Sequence, residues 1–365
     1  MAVPFAYVQA RGGYREIGRA VGEAAREQIA AALAYYREHF PAMAGMEFTV
    51  AEGCAQEYLK CARRYLPHYV EELEGMAEGA CQSFSALMVP NCGEEFTCDA
   101  DGSDPAPGAP GGRRPSPAGR LCTGVAVCHG GRHVVGHNMD WYAVDVDKNV
   151  LFDLTMPDGA RLLTIAGVPY LPMLGMTSHG IASVSNSVYC NDARVGVPNA
   201  FVRRWVLEAA SIREGRERAC LAARARGSNH LWADRTGAIS DLETSATASA
   251  GVESDDRLAH TNHYVAADMA PFEASQQQES RDRLRRAQEL LDVGLARGGD
   301  PVAVVATVLR DHANAPDAIC GHPAGRAPRP DESVTVASMI CDLDNGRLYA
   351  CAGPPCENPY RVFDI

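Results

Sequence analysis

Four stretches of this chain repeat one pattern: an apolar, β-branched run, a tight pair ending in glycine, and a second such run. The pairs are Gly130-Gly131 in CTGVAVCHGGRHVVGHNMDW, Asp158-Gly159 in LFDLTMPDGARLLTIAG, Thr236-Gly237 in NHLWADRTGAISDLE and Asn345-Gly346 in SVTVASMICDLDNGRLYACAG. Two-residue hairpin turns need positive φ, which glycine adopts without a Cβ penalty, so each pattern predicts a β-hairpin. Helical patterns near 198–212, 215–226, 274–297 and 301–312 fall between them. Hairpins interrupted by helix pairs point to an α+β chain with antiparallel sheets covered by helices. No GxGxxG or Walker A pattern stands in a strand-to-helix context, and no internal repeat is present.

The first hundred residues read as helical. Ile17, Val21, Ala25, Ile29, Leu33, Tyr36 and Phe40 recur at helical spacing, and Gly18 and Gly22 would admit a close neighbour. A second helical region covers about 50–80, with Pro67 as a break, and a short helix is expected near 84–92. Residues 98–121 are dominated by Gly, Pro, Ser, Asp and Arg; such a segment buries no face and predicts a loop or linker.

The formal net charge of -12 argues against nucleic-acid and anionic-membrane partners. No apolar run reaches membrane-spanning length, and the N-terminus lacks a signal-peptide pattern, so a cytoplasmic setting is expected. Thirteen cysteines at irregular spacing, with no CxxC, suggest buried thiols rather than a disulfide framework or zinc site. His129, His133 and His137 recur every four residues, but the glycine turn breaks the run, so no metal is expected there. His260 and His263 read as structural hydrogen-bond partners, and RDRLRR at 281–286 as a solvated helix face.

Cys122 opens the first hairpin directly after the linker. Folding around Gly130-Gly131 brings Asp140 back beside the Leu121–Cys122 bond. A strict two-residue turn sets Cys122 opposite Met139; a bulge would set it opposite Asp140. A thiol at neutral pH needs a base. If the chain were cut before Cys122, the new α-amino group, with a reference pKa of roughly 7.7–8, would supply one. The thiol could make that cut itself by attacking the Leu121 carbonyl.

With REIGRAVG, YLPHYVEELEGMAEGA, LCTGVAV, GHNMDW, GIASVSNS, NHLWADRTG, AHTNHY and TVASMICDL, the chain resembles the acyl-coenzyme A:6-aminopenicillanic acid acyltransferase family, the peptidase C45 group of N-terminal-nucleophile hydrolases. The resemblance implies an αββα sandwich and a precursor that cuts itself. Residues 1–121 would form a helical pro-segment or small subunit, and 122–365 a catalytic large subunit. It implies Cys122 as nucleophile, Asp140 orienting its amine, and Asn262 and Asn186 as oxyanion donors. Ser228, His137 and Trp141 are expected at the substrate; His137 stands where bile-salt hydrolases carry arginine. The residue before the nucleophile is Leu121 where the fungal enzyme has glycine. The basic residue expected before TVAS is out of register, with Glu332 and Ser333 there and Arg329 upstream.

The resulting expectation is a self-processing cysteine amidohydrolase or acyltransferase acting on a small amide or thioester, acyl-coenzyme A included, with no cofactor. Its partner would be its own cleaved N-terminal segment. The alternatives are penicillin-type acyl exchange specifically, an unprocessed binding protein on the same fold, and a cysteine hydrolase with a histidine base.

Overall fold

The computed structural model describes residues 5–97, 122–274, 277–323, 325, 329 and 332–365; the linker expectation and Leu121 lie outside them. The strands are β1 (Ala6–Arg11), β2 (Thr123–His129), β3 (Arg132–Tyr142), β4 (Asn149–Thr155), β5 (Arg161–Gly167), β6 (Gly175–Thr177), β7 (Ile181–Ser187), β8 (Ser228–Asp234), β9 (Ile239–Thr244), β10 (Ser249–Val252), β11 (Arg257–His260), β12 (Ser333–Asp342), β13 (Arg347–Ala352) and β14 (Arg361–Asp364). The helices are α1 (Tyr14–Ala24), α2 (Arg26–Ala44), α3 (Phe48–Tyr65), α4 (Pro67–Ala80), α5 (Phe84–Asn91), α6 (Gly93–Thr97), α7 (Asn199–Leu207), α8 (Ile212–Ala219), α9 (Gln278–Ala296) and α10 (Pro301–Leu309).

Two sheets result. One runs β1-β4-β5-β6-β7-β8-β9-β10 and the other β11-β2-β3-β12-β13-β14. Strand alternation builds the layers. Val150, Phe152 and Leu154 of β4 face α1–α7, while Leu151 faces the second sheet. Val125 and Val127 of β2 face α9 and α10, while Ala126 turns inward with Leu163, Val184, Leu231 and Met339. The order is therefore helix, sheet, sheet, helix, the expected αββα sandwich.

All four predicted hairpins form. His129 pairs with Arg132 around Gly130 and Gly131, whose φ values are 60° and 74°. Pro67 opens α4 at its first turn, where its missing N–H costs nothing.

The N-terminal segment is not purely helical. β1 pairs in parallel with β4 at the edge of the eight-stranded sheet, and so ties this segment to the body through backbone as well as apolar contact. The glycine spacing is used closely: a Cβ on Gly18 would lie 1.8 Å from the Glu72 carbonyl oxygen, and one on Gly75 2.1 Å from that of Arg15. Backbone thus packs against backbone between α1 and α4. The cysteine expectation needs correction. Six of the twelve described cysteines are buried, and Cys81, Cys220 and Cys356 are exposed. No helix among the described residues is long and apolar enough to cross a membrane.

Candidate active site

Cys122 lies just before β2. The Thr123↔Asn138 pairing continues the two-residue register, so Cys122 follows the strict-turn alternative. The thiol nevertheless reaches Asp140 through backbone: Sγ donates to the Asp140 carbonyl at 3.8 Å. Burial, with the Asp140 charge beside it, pushes this thiol up to about 12.

Asp140 sits opposite Thr335 on β12, where a bulge between Thr335 and Ala337 breaks the register. The bulge turns Val336 toward the pocket. Thr335 Oγ1 donates to Asp140 Oδ1 at 2.6 Å, and Gly321 N–H donates to the same Thr335 oxygen at 2.9 Å. Asp140 Oδ2 is buried and has no hydrogen-bond partner among the described residues. Burial raises this carboxyl to about 8, against the opposing pull of Thr335 and the Arg283 charge. Asp140 Oδ2 is thus an acceptor beside the thiol that no described neighbour satisfies; Asp145 Oδ1 and Ser185 Oγ, of pocket-lining residues, are likewise unpartnered among the described residues.

Arg283 corrects the reading of 281–286 as a solvated face. Its side chain is fully buried, donating to the Cys122 carbonyl at 2.8 Å, to Thr123 Oγ1 at 3.2 Å and to Asn262 Oδ1 at 3.0 Å. One guanidinium thus fixes both the residue after the expected scissile bond and the expected oxyanion asparagine. The signal was available: Ser280, Arg283, Leu284, Ala287 and Leu291 form the buried stripe of α9.

Asn262 donates through Nδ2 to the Ser187 carbonyl at 3.0 Å, and its backbone N–H is held by Ser280 Oγ at 2.8 Å. His263 Nδ1 meets the same Ser280 hydroxyl at 2.8 Å, and His260 Nε2 meets Glu243 at 2.6 Å. Asn186 belongs to a polar chain between the sheets. His137 Nε2 lies 3.3 Å from its Oδ1, and its Nδ2 donates to Asn229 Oδ1 at 2.8 Å. Burial lowers His137 to about 4, so at neutral pH it is uncharged. His129 and His133 turn instead to Asp256 and Asp344, so the three histidines do not converge.

A pocket opens on Cys122 and His137. Cys122, His137 and Trp141 line it with Met139, Tyr170, Met173 and Leu174. Its polar lining includes Glu94, Glu95, Asp145, Ser185, Ser187 and Arg203. Arg203 Nη1 donates to Glu94 Oε1 at 2.6 Å, and Asn199 and Ser187 also donate to that carboxylate. Burial alone would raise Glu94, but Arg203 and Arg226 with those donors hold it near 2. Ser228 stands behind this pair, accepting from Arg203 Nε at 2.7 Å, and does not line the pocket. Asp140, Asn186 and Asn262 are also outside the lining. Glu94 and Arg203 were not anticipated: GEEF and FVRR carry no motif, and only the fold joins α6 to α7.

The family model described as acyl-coenzyme A:6-aminopenicillanic acid acyl-transferase matches residues 128–357. The chain is similar to the 40 kDa form of acyl-coenzyme A:6-aminopenicillanic-acid-acyltransferase from Emericella nidulans. They share 23% identity over 266 residues, 70% of this chain and 69% of that protein. Among solved structures, a conjugated bile acid hydrolase mutant from Clostridium perfringens has a TM-score of 0.45 at 11% identity, covering 67% of this chain and 97% of that one. Penicillin V acylase from Agrobacterium tumefaciens has a TM-score of 0.44 at 15% identity, covering 67% and 86%. With nearly two thirds of its length matched by the family model, the chain belongs to the acyl-coenzyme A:6-aminopenicillanic acid acyl-transferase family.

Proposed function

We propose that this protein is a self-processing cysteine amidohydrolase or acyltransferase whose nucleophile is Cys122. The observation that carries the reading is the buried, unpartnered Oδ2 of Asp140 beside a buried thiol that lines an apolar pocket. In the uncut chain the thiol is held protonated and its hydrogen-bond partner is a carbonyl, which cannot take its proton. A free α-ammonium on Cys122 would give Asp140 Oδ2 a partner, and the neutral amine would give the thiol its base.

The processing step has Cys122 Sγ attack the Leu121 carbonyl carbon. The C–N bond breaks, the proton passes to the departing amine, and a thioester forms. Water then cleaves it to a Leu121 carboxylate and free Cys122. Residues 1–121 become the small subunit and stay docked, since detachment would expose the apolar faces of α1–α5 and unpair β1. Residues 122–365 become the catalytic subunit.

Turnover repeats the same chemistry on a substrate. Cys122 attacks an amide or thioester carbonyl, the amine shuttles the proton, and the acyl-enzyme passes to water or an acceptor amine. The resemblance assigns the oxyanion to the amides of Asn262 and Asn186. Each Nδ2 already donates to a neighbour, Ser187 O and Asn229 Oδ1, so the second amide proton is the one left for this role. Losing such a donor typically costs about 100- to 1,000-fold in rate. Arg203, the cation among the described lining residues, is paired with Glu94, so these residues offer no free cation for a substrate carboxylate. With Met139, Trp141, Tyr170, Met173 and Leu174 on its walls, it suits an uncharged apolar acyl group. We place the enzyme in the cytoplasm, acting on a small N-acyl amide or an acyl-coenzyme A thioester. Penicillin acyl exchange is the second reading, favoured by the similarity to the Emericella nidulans enzyme. A panel of acyl amides and acyl-coenzyme A thioesters, with and without 6-aminopenicillanic acid, tests both. Turnover that survives Cys122→Ala would overturn the proposal.

A further inference from the structure

Away from the pocket, four side chains converge that the family chemistry does not use. His312, Cys320 and His322 come from the loop after α10, and Cys356 from the turn after β13. Their ligand-capable atoms all lie within 4.8 Å of one another. Cys320 Sγ is 3.7 Å from Cys356 Sγ and 3.6 Å from His322 Nε2. His322 Nε2 is also 3.1 Å from Cys356 Sγ and 3.0 Å from His312 Nε2. One ring nitrogen has a single proton or a single lone pair, yet three donor atoms gather on this one. A cation at the centre of the four resolves that crowding.

The ligand types and edge lengths suit zinc. Zinc binds sulfur at about 2.3 Å and imidazole nitrogen at about 2.0–2.1 Å, so a tetrahedron has S–S, S–N and N–N edges of roughly 3.8, 3.6 and 3.4 Å. The Cys320–Cys356 and Cys320–His322 edges, 3.7 and 3.6 Å, match these lengths, and the His322–Cys356 and His322–His312 edges, 3.1 and 3.0 Å, are drawn in at His322. A disulfide is a different geometry, since its sulfurs lie about 2.05 Å apart. The surroundings also fit. His322 Nδ1, the nitrogen facing away from the cluster, lies 3.5 Å from Glu357 Oε1, the carboxylate partner that commonly orients a metal-bound histidine.

We propose that His312, Cys320, His322 and Cys356 bind one zinc ion in a closed Cys2His2 site. Both thiols release their protons on binding, and the four protein ligands leave no open position, so the ion is structural. The irregular spacing hid the site: the ligands lie at 312, 320, 322 and 356, brought together only by the return of β12 and β13. The ion would clamp the loop after α10 to the segment following β13. That loop reaches the Cys122 site. Gly321 exchanges backbone and hydroxyl hydrogen bonds with Thr335, the residue holding Asp140, and Ile319 O accepts from Asn138 Nδ2 at 2.9 Å.

The test uses the full chain, untagged and purified without chelator. Elemental analysis is expected to find one zinc per chain. Protein stripped with chelator and given cobalt(II) is expected to show the thiolate-to-cobalt absorption and tetrahedral d–d bands. Cys356→Ser, at an exposed position, should lose at least five-fold of the bound zinc and the charge-transfer intensity of that thiolate. Glu357→Gln should weaken zinc binding about ten-fold while leaving the ligand set intact. The cobalt spectrum of the wild-type chain stands even if a variant fails to fold. Metal-free protein that gives no cobalt–thiolate band, or a Cys320–Cys356 disulfide found by peptide mapping, would overturn the proposal.

Discussion

Asp140 offers a quantitative test of the uncut site. Its carboxyl moves from 3.8 to about 8 in the folded chain because burial removes it from water and leaves Oδ2 unpaired. The perturbation is Asp140→Asn in a Cys122→Ala background, which keeps the chain uncut and preserves the acceptor for Thr335. At pH below the unfolded value both states hold the proton, so Asp140 adds no pH dependence. Between there and about pH 8 the unfolded chain ionises while the folded chain stays protonated. Stability of the Asp140 protein therefore falls as pH rises, by ~1.4 kcal/mol per pH unit from this one group. The asparagine variant lacks that slope. Between about pH 5 and about pH 7 the stability difference, variant minus parent, should rise by ~2.7 kcal/mol. Urea denaturation of the two proteins across that range measures it, with other buried carboxyls such as Glu72 and Asp145 cancelling between them. A difference that stays flat, or falls with pH, would show Asp140 ionised in the folded precursor and refute the argument that the oxygen awaits a cation.

Arg283→Met leaves the Cys122 carbonyl, Thr123 Oγ1 and Asn262 Oδ1 without their shared donor. It should cost about 3 kcal/mol in chemical denaturation and slow appearance of the Cys122 fragment at least about 100-fold. Gly18→Ala gains helix propensity of about 1 kcal/mol but drives a methyl onto the Glu72 carbonyl, so a net loss of about 2 kcal/mol is expected by thermal unfolding. Ala200→Phe fills the pocket, and should raise KM about ten-fold for long acyl groups while sparing acetyl and propionyl substrates.

Local signals in the sequence were reliable where backbone chemistry decides. Turn glycines marked four hairpins, and Gly18 and Gly22 of α1 implied a close neighbour, which the fold supplies as α4. Cys122, Asp140 and the asparagines could be proposed because hairpin register and family resemblance both address residues near a strand end. Other features were illegible for a common reason. β1 gains strand structure only by lying along β4, about 140 residues away in sequence. Arg283 sits in a run of charges that masks a buried stripe. Glu94 and Arg203 make an ion pair across two helices that no spacing connects. The Cys2His2 cluster needs the sheet to fold before its ligands meet.

The central claim is that Cys122 becomes a chain end. Intact mass spectrometry of the purified protein, under denaturing conditions and without proteases, tests it most directly. The account predicts two fragments that co-purify in native buffer, the larger starting at Cys122 and running to Ile365, and a single uncut chain for Cys122→Ala. A wild-type protein that is fully active as one intact chain, or a Cys122→Ala variant cut at the same bond, would contradict it.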